Sequence, residues 1–294
     1  MHEWQHAILG TLETLGLAIR DGQESVWSRI GGNATTSVWS LRVASRRYFI
    51  KVAASQHADM LAAEVEALRA IAATGAIRVP AVYANGEARS ASYLALEWLD
   101  IVEGGRSAAL GEALAKLHET TAPAFGWHRD NAIGATPQPN AWGDDWPTFF
   151  RDRRIAPQLA LARTHGFDGP LQASGAKLLD RVDRLLEGHR PGASLLHGDL
   201  WAGNAGRIDE ATPVVFDPAS YYGDREADLA MTELFGGFEP AFYAAYCEAS
   251  PLPPGYPRRR TLYNLYHVLN HLNLFGASYL AQAEQMLEEL VKSR

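Results

Sequence analysis

The chain has 294 residues, of which 47% are hydrophobic and 21% are charged, and its formal net charge is −7. This composition excludes disorder and fibrous repeats, and a chain of this length buries a core without disulfide or metal staples. The single cysteine, Cys247, excludes an internal disulfide and a cysteine-based zinc site, and the acidic balance argues against an extended nucleic-acid surface.

The elements of the first part of the chain follow from hydrophobic periodicity and turn residues. In chain order we expect a helix over 3–19 that closes at Asp21-Gly22, strands over 26–30, 38–43 and 48–52, a helix over 58–73 and a strand over 93–99. Gly104 and Gly105 then mark a boundary between two lobes, and a helix follows over 107–119.

The remainder of the chain is mostly helical, with two short apolar strands over 194–197 and 213–216. The sequence therefore predicts an α+β, bilobal protein-kinase-like fold, with a small β-rich N-lobe over 1–100 and a larger, mainly helical C-lobe over 101–294. We expect the cleft between the lobes to hold the functional site.

The start of the chain has no basic stretch and no small-residue cleavage site, so no signal peptide is expected. No segment reaches the roughly 18 uninterrupted apolar residues that a membrane span needs. We therefore expect a cytoplasmic protein with no membrane or nucleic-acid partner. The sequence leaves the oligomeric state open and favours a monomer.

Three polar residues follow the two predicted C-terminal strands at an informative spacing. Asp199 lies just past the first strand, Asn204 follows five residues later, and Asp217 ends the second strand. Phosphoryl transfer from ATP requires a carboxylate to accept the proton of the attacking hydroxyl, and oxygen ligands to hold Mg²⁺. The spacing predicts that Asp199 is the catalytic base and that Asn204 and Asp217 are metal ligands. His-Gly-Asp alone is also typical of a plain turn, and we assign His197 no chemical role.

Lys51 lies between Ile50 and Val52 in an apolar strand, where its charge needs a partner. Glu64, in the next predicted helix, supplies one. A lysine–glutamate pair of this kind orients ATP phosphates in kinase folds. The alternative is a lysine on an edge strand that points to water.

Two backbone segments complete a predicted nucleotide site. Gly31 and Gly32 open a turn that lets N–H groups approach phosphates, although a plain hairpin turn explains the glycines nearly as well. Glu97 and Leu99 lie where a hinge between lobes offers backbone groups to adenine, a role inferred from position alone.

Long segments of the chain resemble the fructosamine kinase family, also called ketosamine 3-kinases, within the aminoglycoside-phosphotransferase-like branch of the kinase fold. The segments are HGDLWAGN at 197–204, DPASYYGDREADLAMTELFGGF at 217–238, FGWHRDNAIGATPQPN at 125–140 and LYNLYHVLNHLNLFGASYL at 262–280. The resemblance covers nearly the whole chain. DPASYYGDRE distinguishes this family from choline and aminoglycoside kinases, which share only the shorter acidic motifs.

The resemblance implies ATP-dependent phosphorylation of the 3-hydroxyl of a ketosamine, the adduct of a sugar and an amine. The 3-phosphate then eliminates and frees the amine, which makes the enzyme a deglycation enzyme. Its implied cofactors are ATP and Mg²⁺. The preferred sugar, and whether the amine is free or protein-bound, stay open. Some family members carry a cysteine in the glycine-rich loop for redox control, whereas this loop has none.

Five further residues are candidates for substrate contacts: Trp201, Tyr221, Tyr222, His267 and His271. The aromatic residues follow the acidic motifs, and aromatic rings pack against sugar faces and cationic amines. Core packing explains Tyr221 and Tyr222 equally well. The two histidines share one face of a helix, where buried polar contacts are the plainer account, and metal binding by this pair lacks a carboxylate partner. Asp228 is expected to brace the catalytic loop.

Two other functions stay open at this point. One is a small-molecule kinase of the aminoglycoside or choline phosphotransferase type, which acts on a different hydroxyl. The other is a nucleotide-binding module without catalysis, against which the presence of Lys51, Asp199, Asn204 and Asp217 argues.

Overall fold

A computed structural model describes residues 2–17, 24–33, 35–102 and 104–293 of the chain. Its smaller lobe is built on an antiparallel five-stranded sheet of spatial order β1-β2-β3-β5-β4. The strands are β1 (Ser25–Gly32), β2 (Thr36–Val43), β3 (Arg46–Ala54), β4 (Val82–Ala88) and β5 (Ala91–Glu97). The sequence predicts four of these strands and misses β4.

Two helices pack against this sheet, α1 (Glu3–Thr14) and α2 (Ala58–Thr74). Helix α1 starts where the sequence predicts and ends five residues before the predicted residue 19. The expected stop at Asp21-Gly22 lies outside the described residues. Helix α2 matches its prediction to within one residue.

The alternation of side chains along β3 places its residues on two faces. Tyr48, Ile50 and Val52 are buried in a core with Ile8 and Leu12 of α1. Residues 49, 51 and 53 face the opposite side, where α2 lies. This alternation turns Lys51 toward the helix that carries its predicted partner.

The larger lobe is mainly helical, as expected. Its helices are α3 (Ala108–His118), α4 (Trp146–Phe150), α5 (Ala156–Thr164), α6 (Pro170–Leu179), α7 (Val182–Leu185), α8 (Glu226–Leu234), α9 (Pro240–Ala249), α10 (Tyr256–Phe275) and α11 (Leu280–Lys292). A π-helical segment, Arg151–Ile155, joins α4 to α5. No helix among the described residues is long and apolar enough to cross a membrane.

Short strands lie in the segments that connect the helices of the larger lobe. They are β6 (Thr121–Ala122), β7 (Asn131–Ile133), β8 (Thr136–Gln138), β9 (Ala193–Leu195), β10 (Ala205–Arg207), β11 (Pro213–Val215) and β12 (Tyr222–Gly223). Strands β12, β9 and β6 form one small sheet, β10 pairs with β11, and β7 forms a hairpin with β8. Strands β9 and β11 fall within one or two residues of their predicted positions and end just before the two acidic loops.

One hydrophobic core crosses from the smaller lobe into the larger one. It includes Leu68 of α2 and Leu94 of β5 together with Leu110 of α3 and Leu265 of α10. The buried contacts between lobes therefore hold α2 and the sheet against the loops that follow β9 and β11.

Candidate active site

A cavity of about 320 Å³ lies between the two lobes. Predicted phosphate-binding residues of one lobe and predicted acidic residues of the other line this cavity together. Lys51 and Glu64 line it from the smaller lobe, and Asp199, Asn204 and Asp217 line it from the larger lobe. Five residues separated by up to 166 positions in the chain are thereby brought into one pocket.

Lys51 bridges the two lobes through ion pairs. Its Nζ lies 2.7 Å from Oε1 of Glu64 and 2.7 Å from Oδ1 of Asp217. Burial by itself lowers the pKa of Lys51, but the negative charges and hydrogen bonds of Asp217 and Glu64 outweigh it and raise the pKa. Lys51 lies on β3, a central strand, and is 8% exposed, so the edge-strand alternative is wrong. The cavity therefore keeps one permanent cation between two carboxylates.

Asp199 follows β9 and points its carboxylate into the cavity. The Nδ2 group of Asn204 donates to the backbone oxygen of Asp199 at 2.9 Å and to its Oδ2 at 3.2 Å. A 3₁₀ turn over Ala202–Asn204 brings the amide back to the aspartate. Removal from solvent and the negative charge of Asp217 raise the pKa of Asp199 to about 7. A carboxylate with this pKa is well matched to proton transfer near neutral pH.

Asp217 follows β11 in a left-handed conformation, with φ of 56°. Aspartate tolerates this region better than most residues, yet it costs free energy that neighbouring contacts must offset. Those contacts join the two acidic loops: Phe216 N–H donates to Asn204 O at 3.1 Å, and Ala219 N–H donates to His197 O at 2.9 Å. The loops thus form one hydrogen-bonded unit.

Asp228 of α8 anchors the catalytic loop, as the sequence predicts. Its carboxylate accepts the N–H of His197 at 2.7 Å and that of Gly198 at 2.8 Å. Burial alone would raise the pKa of Asp228, but its contacts with His118, His197 and Gly198 lower it. Gly198 has φ of 85°, and a Cβ there would lie 2.1 Å from the oxygen of Ala219, so only glycine fits.

Both glycines of the glycine-rich turn lie at the end of β1. Gly32 lines the cavity, whereas Gly31 does not. Gly32 has φ of 135°, and a Cβ there would lie 2.5 Å from the backbone oxygen of Thr36. The Oδ1 of Asn33 accepts the N–H groups of Thr35 and Thr36, each at 2.9 Å. In this structure a carboxamide oxygen therefore holds N–H groups of the predicted phosphate turn.

The predicted hinge residues lie at the end of β5 and outside the lining of this cavity. Oε1 of Glu97 is 2.6 Å from Nη2 of Arg78, and Oε2 accepts the N–H of Ala81 at 3.0 Å. Leu99 is half-buried, and its backbone oxygen accepts the N–H of Ile101 at 3.0 Å.

Two of the five predicted substrate residues, Trp201 and His271, line the cavity. Tyr221 instead packs inside the larger lobe, where it is 2% exposed and lies 3.8 Å beneath the guanidinium carbon of Arg154. Tyr222 pairs with Leu195 in β9 and has no place in the lining.

His267 is also interior, because it lies on the packed face of α10 and is 4% exposed. Burial lowers its pKa to about 3, so the ring is neutral at physiological pH. His267, like Tyr221 and Tyr222, therefore does not line the cavity in which a substrate contact is one of the expectations for it.

The β7–β8 hairpin supplies functional contacts that sequence reasoning misses. Nε2 of the fully buried Gln138 donates to Ala219 O at 3.1 Å, and Nδ2 of Asn131 donates to Ser220 O at 2.9 Å. The hydroxyl of Tyr266 donates to Oε1 of Gln138 at 2.6 Å. These amides hold the two carbonyls that come soon after Asp217. The segment 125–140 is recognisable by resemblance, but no local pattern reveals this task.

The donor chemistry of the two acidic loops fits a hard divalent cation. Asn204 makes its bonds to Asp199 through Nδ2, which directs its carbonyl oxygen elsewhere. The carboxylate of Asp217 lines the cavity and is nearly half exposed. Oxygen ligands of these two types suit Mg²⁺.

A β-rich lobe and a helical lobe that enclose these groups define a protein-kinase-like phosphotransferase. A family model described as fructosamine kinase matches residues 17–293. The chain therefore belongs to the fructosamine kinase family and is a phosphotransferase that uses ATP and acts on a hydroxyl group.

Individual relatives agree with this assignment. The chain is 46% identical over 266 residues to a probable ketoamine kinase, slr1563, of Synechocystis, covering 90% of this chain and 89% of the relative. A putative fructosamine-3-kinase structure from Haemophilus somnus 129PT superposes with a TM-score of 0.88 at 29% identity, covering 96% of each chain.

A more distant structure shares the fold. A thermostable mutant of the aminoglycoside phosphotransferase APH(4)-Ia, in a ternary complex with AMP-PNP and hygromycin B, superposes with a TM-score of 0.64 at 18% identity, covering 97% of this chain and 98% of its own.

Proposed function

We propose that the protein transfers the γ-phosphoryl group of ATP to the 3-hydroxyl of ketosamines, and that elimination of the 3-phosphate then frees the amine. The ketosamine substrate is supported by the family match over residues 17–293 and by the names of relatives such as the Synechocystis ketoamine kinase. The transfer chemistry is supported by one observation above all: Asp199 shares the cavity with Lys51 and Asp217 and has a pKa of about 7.

Asp199 acts as the general base. Its carboxylate accepts the proton of the sugar hydroxyl as the oxygen attacks phosphorus, and its raised pKa makes it a stronger proton acceptor than an ordinary aspartate. The amide of Asn204 fixes the carboxylate in the cavity, so the acceptor oxygen and the donor phosphate meet in a defined geometry.

The nucleotide binds mainly to the lobe formed by residues 1–100. Lys51, held by Glu64, contacts the phosphates, and the turn that begins at Gly31 and Gly32, of which Gly32 lines the cavity, covers them with backbone N–H groups. The adenine would lie beyond the described cavity lining, against the backbone at Glu97 and Leu99, a role that rests on their position at and just after the end of β5.

Asn204 and Asp217, in the lobe formed by residues 101–294, would hold Mg²⁺. When bound, the ion neutralises charge on the transferring group. Asp217 would then contact two cations, Mg²⁺ and the ammonium group of Lys51, whose Nζ lies 2.7 Å from its Oδ1.

Trp201 and His271 contact the sugar-amine substrate, since both line the cavity on the side of the larger lobe. The indole of Trp201 is 41% exposed and offers a flat apolar face of the kind that packs against sugar rings.

A panel of acceptors tests this proposal. Purified protein with Mg·ATP is offered fructosamines, ribulosamines and erythrulosamines, and in parallel amino sugars and choline, while ADP release is measured. We expect turnover only with ketosamines. Asp199→Asn serves as the blank, and Asp168→Asn, at an exposed aspartate, serves as the matched control.

Turnover with amino sugars or choline alone would replace the proposed substrate with a different alcohol. ATP binding without turnover on any acceptor would indicate a nucleotide-binding module and would overturn the proposal.

A further inference from the structure

Four aromatic side chains cluster where α10 ends, beside the cavity. The ring of His271 contacts Phe235, Phe275 and Tyr279 at centroid separations of 5.0, 5.3 and 5.1 Å. We call these four residues the aromatic rim. Phe275 is the last residue of α10, and Tyr279 lies in the short turn that follows it.

The aromatic rim is continuous with the catalytic cavity. His271 and Phe275 belong to the same lining as Asp199, together with the apolar side chains of Ile133 and Leu274. The rim therefore extends the pocket that holds the predicted base, rather than forming a separate surface.

Core packing does not explain the exposure of these rings. Phe275 is 63% exposed and Phe235 is 44% exposed. Single exposed apolar residues are ordinary on a protein surface, whereas clustered exposed rings at the edge of a cavity are typical of a binding surface. Because Phe275 leaves most of its side chain in water and Phe235 nearly half, a ligand that covers these two rings gains free energy that the fold does not already use.

The chemistry of the aromatic rim favours a ligand in which a positively charged group carries an alkyl chain. Aromatic faces attract ammonium groups and also pack against alkyl chains. His271 donates through Nδ1 to His267 O at 2.7 Å, and burial lowers its pKa, so its ring adds no positive charge that would repel an amine. The net charge of −7 on the chain further favours cations.

We propose that the aromatic rim binds the amine-side substituent of the substrate, so that the enzyme selects adducts whose secondary ammonium carries an alkyl chain of several carbons. This inference rests on the proposed function, because only the acceptor adduct presents an ammonium next to a hydroxyl bound at Asp199. The sugar then lies toward Asp199 and the chain lies across Phe275.

Four proteins, the unaltered enzyme and three variants, and two substrates test the inference. The substrates are ribulose adducts of methylamine and hexylamine, which differ only in the alkyl chain. For the unaltered enzyme we expect kcat/KM to be about tenfold higher with the hexylamine adduct, from burial of the added methylenes. Phe275→Ala should reduce this preference about fivefold, and Phe275→Leu, which keeps apolar area without an aromatic face, should reduce it less.

Leu15→Ala, at an exposed apolar residue of the smaller lobe, is the control and should keep the full preference. The KM for ATP of each variant reports whether its fold is intact. Equal kcat/KM values for the two adducts in the unaltered enzyme, or an undiminished preference in Phe275→Ala, would overturn the inference while leaving the proposed function in place. Failure to phosphorylate either adduct or any other ketosamine would overturn both.

Discussion

The catalytic loop at 197–204 and the glycine-rich turn, described at residues 31–33, 35 and 36, line the same cavity, but they are held by different contacts. In the catalytic loop, buried Asp228 accepts two backbone N–H groups and Asn204 ties the loop to Asp199. In the glycine-rich turn, the exposed side chain of Asn33 accepts the N–H groups of Thr35 and Thr36.

This difference matches two different tasks. Proton transfer needs its acceptor fixed to a fraction of an ångström, which a buried and fully bonded loop provides. Nucleotide entry needs a cover that opens at low cost, and an exposed turn with few buried contacts has a small free energy of local opening. The difference between the two segments agrees with the proposed function, in which one side of the cavity carries the proton transfer and the other side binds the nucleotide.

The largest expected effect is on turnover in Asp199→Asn. Without the base, kcat should fall about 10²–10⁴-fold, while the dissociation constant for ATP should change little because Lys51 and Glu64 are intact. Rapid-quench kinetics and calorimetric titration of ATP measure the two quantities. Equal losses of ATP affinity and of turnover would contradict the division of proton transfer and nucleotide binding between the two sides of the cavity.

The same variant should be more stable than the parent when Mg²⁺ and nucleotide are removed. The pKa of Asp199 is about 7 in the folded protein, against 3.8 for the free side chain, so raising the pH between these values ionises the unfolded state first and destabilises the fold. Asparagine carries no such charge. The stabilisation should be small at pH 4, grow through pH 7 and level off above it, to at most about 4 kcal/mol.

Thermal melts at several pH values in EDTA test this expectation. A stability difference that does not change with pH would show that the charge of Asp199 imposes no strain on the folded catalytic loop.

Gln138→Ala should weaken the catalytic side indirectly. It removes the donor to Ala219 O and leaves the hydroxyl of Tyr266 without its acceptor, so we expect a loss of about 2–3 kcal/mol in stability. Because the segment after Asp217 loses support, kcat should fall about tenfold and the Mg²⁺ concentration for half-maximal rate should rise.

Gln172→Ala is the matched control. Like Gln138, Gln172 donates through its side-chain amide to the backbone, in this case to the carbonyls of Leu159 and Phe167, but it lies on α6 away from the cavity. It should lose stability without a change in Mg²⁺ dependence. If both variants shift that dependence equally, Gln138 has only a structural role.

The smallest expected effect is on the glycine-rich turn. Gly32→Ala places a Cβ 2.5 Å from Thr36 O at a positive φ, so the turn must shift, and the KM for ATP should rise several-fold with a smaller change in kcat. Gly31→Ala meets its nearest atom, the Cβ of Val38, only at 4.0 Å and should raise KM less. Equal effects at the two positions would show that the turn conformation does not matter for ATP.

Local sequence signals predict the frame of the active site well. Periodicity indicates β3 and α2, and apolar runs indicate β9 and β11, so the spacing of Asp199, Asn204 and Asp217 translates directly into a shared cavity. The pairing of Lys51 with Glu64 also follows, because Lys51 lies on the face of β3 against which the next helix, α2, packs.

Contacts that depend on distant parts of the chain are not predictable in this way. Gln138 meets Ala219 and Tyr266 only after α10 has packed beneath the hairpin. The closeness of Tyr221 to Asp217 in the sequence leaves a pocket position and core packing equally open, and the structure packs its ring against Arg154 in the interior. Neither Arg154 nor α10 leaves a local signal near residue 221.

The most direct test of the account identifies the atom that receives the phosphate. Ribuloselysine is incubated with Mg·ATP and the enzyme, and the products are followed by ³¹P NMR and mass spectrometry. The account predicts a phosphate ester on the 3-oxygen that decays to release free lysine, and no ester with Asp199→Asn. A stable ester on another oxygen, or intact ATP in the presence of bound nucleotide, would contradict it.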